Sequence, residues 1–238
     1  DLFRKLSEAA PNTIPYRFRY ALGLLLAANI SSGDGTPEEY VQQSTVGITA
    51  LEELVLISNG LPRFTDALAK GHAVRGNVLF DFGKTEEAQV QWSKALEAWH
   101  QMDLEGAPVY VQYNYLRFIV DHPQLDMFAT EKVIRLATLL ESQSTQIDSH
   151  LRVLAMLLQL KGDNEEAALM FERGEQVEFA PSIYPPLAAL LIASKTSDQD
   201  SVASAMQELE TWKSRRCPGN IRLARLFKRY ARFIQPEQ

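Results

Sequence analysis

The sequence predicts an all-α chain: an α-α superhelix (solenoid) of about five antiparallel helix pairs with a C-terminal capping helix. Two observations predict it. The first is a spacing of small residues that occurs twice. Gly76 is followed by Gly83, Ala88, Trp92 and Ala95, and Ala155 by Gly162, Ala167, Phe171 and Gly174, at identical intervals. Such small residues let two helix backbones approach, the aromatic fills the space between them, and the turn glycine takes a conformation that a Cβ would resist. The second is punctuation: turn signals cut the chain into short segments whose apolar residues recur at helical rather than alternating spacing.

The elements follow in order. Residues 1–10 read as a helix ended by Pro11, and residues 15–30 as a second, with Phe18, Leu22, Leu25, Leu26 and Ile30 at helical spacing. After the loop at 31–35, Thr36 is placed as N-cap, Pro37 at the first helical position and Glu39 as the partner in a capping box. That helix should run to about Ser58, where Asn59-Gly60 stops it and Pro62 prevents its continuation. Helices at 63–82 and 85–101 carry the first clear repeat. Residues 106–121 and 126–142 form a degenerate pair, 146–161 and 164–177 the second clear repeat, and 185–194 and 198–214 a fifth pair. A single helix at 219–233 closes the chain. Gly83 and Gly162 stand seventy-nine residues apart, two units of about forty. The whole chain is thus one repeat domain: 1–62 a divergent N-terminal pair, 63–101 a clear repeat, 106–142 degenerate, 146–177 clear, and 185–238 a last pair with its cap.

Bulk properties bound the function. No apolar run approaches the roughly 18 residues that a membrane-crossing helix needs, so no membrane insertion is expected. No secretory leader is visible, and the first residue is Asp1 rather than Met. A domain of a larger, cytoplasmic protein is the expectation. The single Cys217 excludes an intramolecular disulfide and a cysteine-based zinc cluster. Net charge is −6 but uneven: from Lys213 onward there are eight Lys/Arg and one acid, while residues 1–212 carry a net −13. An acidic body disfavours nucleic acid, whose binding needs cations against phosphate.

The segment GHAVRGNVLFDFGKTEEAQVQWSKALEAW resembles a tetratricopeptide repeat, and LRVLAMLLQLKGDNEEAALMFERGEQ is similar. The likeness covers about a quarter of the chain and departs from the family where an early Trp and later Tyr are usual: His72 and Leu79 stand there in one copy, Leu151 and Leu158 in the other. The run from Asn59-Gly60-Leu61-Pro62 into Leu68-Ala69-Lys70-Gly71-His72 also resembles repeat extensions of some bacterial serine/threonine kinases and transcriptional regulators. The resemblance implies stacked helix pairs whose first helices line a concave face that binds partners.

Signatures of chemistry are missing. There is no GxGxxG, no GxxxxGK[ST] and no HExxH, and His72, His100, His122 and His150 lie far apart. The acidic pairs Glu38-Glu39, Glu86-Glu87 and Glu165-Glu166 fall in first turns, where carboxylates favour the helix dipole. No enzyme activity, cofactor or metal is expected.

Candidate partner-binding residues on the concave face are Asn77, Tyr113, Arg117, Arg152 and Gln159. Asn77 matches an Asn with which some tetratricopeptide proteins grip a peptide carboxylate, but Ala73 replaces the companion Lys, so chaperone tails are not expected ligands. The helix at 106–121 carries two stripes, Tyr110/Tyr113/Arg117 and Val111/Tyr115/Phe118; one must pack inward and the other is free to face the groove. On the closing helix, Arg222, Arg225, Lys228, Arg229 and Arg232 make a basic face, either solvated or docking an acidic partner, while Leu223, Leu226, Phe227 and Tyr230 should cap the final pair. The leading expectation is a protein- or peptide-binding module, a scaffold or regulatory domain whose partner is another protein or another domain of its parent. The alternative is a regulatory domain that senses a small molecule or peptide in the groove.

Overall fold

The computed structural model of the chain describes residues 2–30, 36–122, 125, 127, 130–143, 153, 155–159, 162–163, 165, 167–169, 187, 189–190, 192–193, 199–216 and 230. The protein is all-α, with no strand among the described residues. The helices are α1 (Leu2–Ala9), α2 (Ile14–Ile30), α3 (Pro37–Ile57), α4 (Pro62–Asp81), α5 (Thr85–His100), α6 (Val109–Asp121), α7 (Glu131–Gln143) and α8 (Gln199–Arg216). None of the described helices is long and apolar enough to cross a membrane. The chain divides into two compact units, Asp1–Val111 and Gln112–Gln238.

Helix ends follow local chemistry. The Thr36 side chain accepts from the Glu39 N–H, and the Glu39 carboxylate accepts from the Thr36 N–H at 3.0 Å, completing the capping box before Pro37. At the other end Asn59 and Gly60 both take positive φ, 52° and 75°, and the Gly60 N–H returns to the Val55 carbonyl. Pro62 then opens α4. One departure is informative. The helix expected at 126–142 begins only at Glu131, because Thr130 supplies its cap: the Thr130 hydroxyl accepts from the Val133 N–H.

In unit Asp1–Val111, α2, α3, α4 and α5 alternate in direction. Asp66 meets Trp99 while Gly76 meets Ala88 and Trp92, so α4 and α5 run antiparallel. Arg17 meets Glu53 while Leu25 meets Gly47, so α2 and α3 do too. Phe18 packs edge-on against Phe64 at 5.1 Å and Leu25 against Gly71, a constant offset of 46 residues, so α2 and α4 run parallel. Glycine permits the close approaches. A Cβ on Gly47 would lie 3.1 Å from the Ala21 carbonyl oxygen, and one on Gly71 would lie 3.2 Å from both Leu25 and Ile48. The core around these contacts includes Ala21, Leu25, Ile48, Leu51, Leu54 and Phe64.

The turn in the first clear repeat recurs in the second, within unit Gln112–Gln238. Gly83 and Gly162 both have positive φ, 80° and 101°. The Gly83 N–H donates to Phe80 and that of Lys84 to Leu79; the Gly162 N–H donates to Gln159 and that of Asp163 to Leu158. The next helix opens with Ala88 donating to Lys84 in one copy and Ala167 to Asp163 in the other. Each bond has its twin seventy-nine residues on, and each pair forms a glycine-closed helix end. Ala88, Ala155 and Ala167 are buried, as the spacing requires.

Of the expected closing helix only Tyr230 lies among the described residues. It is fully buried, and its hydroxyl donates to the Val120 carbonyl in the last turn of α6. That carbonyl belongs to the helix end that lacks an intrahelical donor. Tyr230 therefore reaches back to α6; the other residues expected to cap the final pair, Leu223, Leu226 and Phe227, lie outside the described residues.

Gly76 offers the sharpest test of the hairpin. A Cβ there would lie 2.5 Å from the Trp92 ring. Gly76→Leu should cost on the order of 1–3 kcal/mol through overpacking, read as a lower urea midpoint at unchanged slope. An unchanged midpoint would mean that α4 and α5 do not touch at this point.

Candidate functional site

The sequence-predicted residues separate once they are placed. Asn77 is half-buried on α4, and its Oδ1 accepts from the Trp92 Nε1–H at 3.2 Å. It orients an indole inside the α4–α5 hairpin. Gln159 stands seventy-nine residues after Phe80, at the turn-closing position of its own helix. Phe80 packs against Trp92 at 5.4 Å within its hairpin. Arg152 and the basic set Arg222, Arg225, Lys228, Arg229 and Arg232 lie outside the described residues, as does Cys217.

Helix α6 resolves its two stripes. Val111, Tyr115 and Phe118 are buried, so this stripe packs inward. Burial pushes the Tyr115 phenol up to about 12. The other stripe is partly exposed. Tyr110 is 46% exposed, and burial together with the Asp66 charge raises its pKa from the ordinary phenol value. Beyond it Tyr113 and Arg117 are half-buried, and Arg117 stands over the Tyr113 ring at 6.0 Å and donates to its hydroxyl at 3.4 Å. Asp121 lies one turn on, 3.6 Å from the Arg117 guanidinium. The result is an ordered row of phenol, guanidinium and carboxylate on one helix face. Such a row offers an aromatic surface, hydrogen-bond donors and a charge pair to a partner, and it holds no nucleophile–base pair. His122 ends the helix: its Nδ1–H donates to the Phe118 carbonyl at 2.6 Å, and its ring packs on Phe118.

Sequence reasoning missed two polar anchors in unit Asp1–Val111. Trp99 donates from Nε1 to Asp66 Oδ1 at 3.1 Å, and both are buried. His72, also buried, donates from Nδ1 to Gln91 Oε1 at 2.9 Å. The usable signal for the first was the seven-residue spacing of Trp92 and Trp99, matched by the eleven-residue spacing of Asp66 and Asn77: both spacings return to one helix face. No group of three His, Cys, Asp or Glu able to hold a metal occurs among the described residues.

No protein-family profile, curated protein or solved structure matches the chain.

His72 makes unit Asp1–Val111 acid-sensitive. Burial is the largest influence on its pKa and holds it below 6.5; the Gln91 hydrogen bond and Glu52 oppose this, while Lys94 and Arg75 add to it. The folded chain therefore binds this proton less readily than the unfolded one. The contribution to stability is complete above about pH 6.5, falls as pH drops toward the folded value, and is flat below that. Melting temperature followed from pH 7.5 to 4.5 should fall less steeply for His72→Gln than for the wild type; parallel curves would show that the ring does not titrate in this way.

Proposed function

We propose that this chain is a divergent tetratricopeptide-like α-solenoid that binds a protein or peptide partner and serves as a scaffold or regulatory domain within a larger protein. The proposal draws on the twinned turns at Gly83 and Gly162 and on the alternating directions of α2 to α5. Stacked pairs with a constant small-residue contact form the unit from which helical solenoids are built.

One observation carries the binding role: the partly exposed row Tyr113, Arg117 and Asp121 on α6, opposite the buried Val111, Tyr115 and Phe118. Tyr and Arg together are the side chains that most often dominate partner recognition, because they bury large rigid area while keeping a polar end.

A photo-crosslinking phenylalanine derivative placed at Tyr113 should form an adduct with the physiological partner in cells. The same group at Val90, an exposed position on α5, should not. Arg117→Ala should weaken the Tyr113 adduct several-fold while leaving the helical circular-dichroism signal unchanged. Adducts formed equally at both positions, or insensitive to Arg117, would place recognition on another surface.

A further inference from the structure

Of the seven asparagines in the chain, only Asn59 is followed by glycine. The others precede Thr13, Ile30, Val78, Tyr115, Glu165 and Ile221, whose side chains crowd the backbone nitrogen that follows the asparagine. Asn59-Gly60 is also the junction between α3 and α4. Both residues are exposed, and a Cβ built on Gly60 would meet nothing within 4 Å. Glycine is needed here for its positive φ of 75°, and it leaves open space around the bond to Asn59.

Hydrogen bonds at the end of α3 hold the pair in place. The Gly60 N–H donates to the Val55 carbonyl at 2.9 Å and the Asn59 N–H to the Leu56 carbonyl at 3.3 Å, the two bonds of a Schellman cap. The Ser58 hydroxyl donates to the same Val55 carbonyl at 3.2 Å. When Gly60 swings away, Val55 therefore keeps a donor, and opening the cap leaves no acceptor stranded. Exposed helix ends open at little cost in free energy.

We propose that Asn59 is a site of spontaneous deamidation, with the α3 cap as its brake. Asparagine is one of the thermolabile side chains, and its weakness is attack by the next backbone nitrogen. In the capped chain that nitrogen is turned to Val55. In the opened chain the Gly60 N–H loses its proton to hydroxide, and the nitrogen attacks Asn59 Cγ. The side-chain nitrogen takes a proton from water and leaves as ammonia, and a succinimide ring remains. Water then adds to the ring. Breaking its bond from Cγ to nitrogen gives aspartate at position 59; breaking the bond from the main-chain carbonyl carbon gives isoaspartate, in which the chain runs through the former side chain. Either product sets a carboxylate beside the carbonyl end of α3, where the helix dipole disfavours it. Isoaspartate also lengthens the main chain by a methylene just before Gly60, so the Gly60 N–H no longer meets Val55. The conversion runs one way and loosens the α3–α4 junction.

The test incubates the full chain at pH 8 and 37 °C, folded and in urea, and follows every asparagine by peptide mapping and mass spectrometry. Electron-transfer fragmentation separates aspartate from isoaspartate. Position 59 should convert before any other asparagine, to a mixture of both products, and several-fold more slowly in the folded chain than in urea. The converted fraction should melt at a lower temperature than the fresh chain. Asn59→Gly tolerates the positive φ and carries no amide, so its melting temperature should survive the same incubation. Another asparagine converting first, or no conversion at 59 in the folded chain while the urea sample runs to completion, would overturn the site. Equal rates in the two samples would overturn the cap as its brake. An equal fall in melting temperature for Asn59→Gly would overturn the effect on the junction.

Discussion

Leu25 sends its side chain into a space bordered by two glycines on two other helices, Gly47 of α3 and Gly71 of α4. Each glycine is already at the limit of approach: an added Cβ would stand 3.2 Å from the leucine. This three-way contact brings α2, α3 and α4 close enough to exclude water from Leu51, Leu54 and Phe64. At about 25 cal/mol per Å² of apolar surface, close backbone approach adds stability only where the opposing side chain fills the gap. A glycine in a helix interior costs roughly 1 kcal/mol against alanine, so these positions make sense only as packing sites. The same logic recurs at Gly76 under the Trp92 ring.

The tight interior determines where polar chemistry can stand. With the backbones so close, the large indoles of α5 are buried, and each needs an acceptor for its N–H. Asp66 and Asn77 serve, which draws two polar residues of α4 into structural work. Lys70 lies 3.9 Å from Asp66 and helps to offset the cost of burying a carboxylate. On α6, packing claims Val111, Tyr115 and Phe118 and leaves Tyr113 and Arg117 half-buried.

Much of unit Asp1–Val111 was legible from local signals. The capping box at Thr36, the stop at Asn59-Gly60, the turn at Gly83 and the contact at Gly76 each depend on residues close in sequence or on one fixed spacing. What was not legible depends on register between helices. The spacing marks Asn77 as lying on a first helix, but only the antiparallel alignment of α4 and α5 brings it under Trp92. The same alignment pairs Asp66 with Trp99 across 33 residues. Periodicity alone left the two stripes of α6 equivalent; burial of Tyr115 separates them. Nor could a local signal bring Tyr230 to Val120, 110 residues away.

The central claim is that a size match at Leu25 sets the spacing of α2, α3 and α4, and a double-mutant cycle tests it most directly. Gly71→Ala and Leu25→Ala are made singly and together, and unfolding free energies are taken from urea titrations. The account predicts that each single change destabilises, and that the double mutant is more stable than the sum of the two losses allows, because the smaller side chain makes room for the added methyl group. Strict additivity would contradict it, since it would mean that Leu25 and Gly71 do not share one packing site.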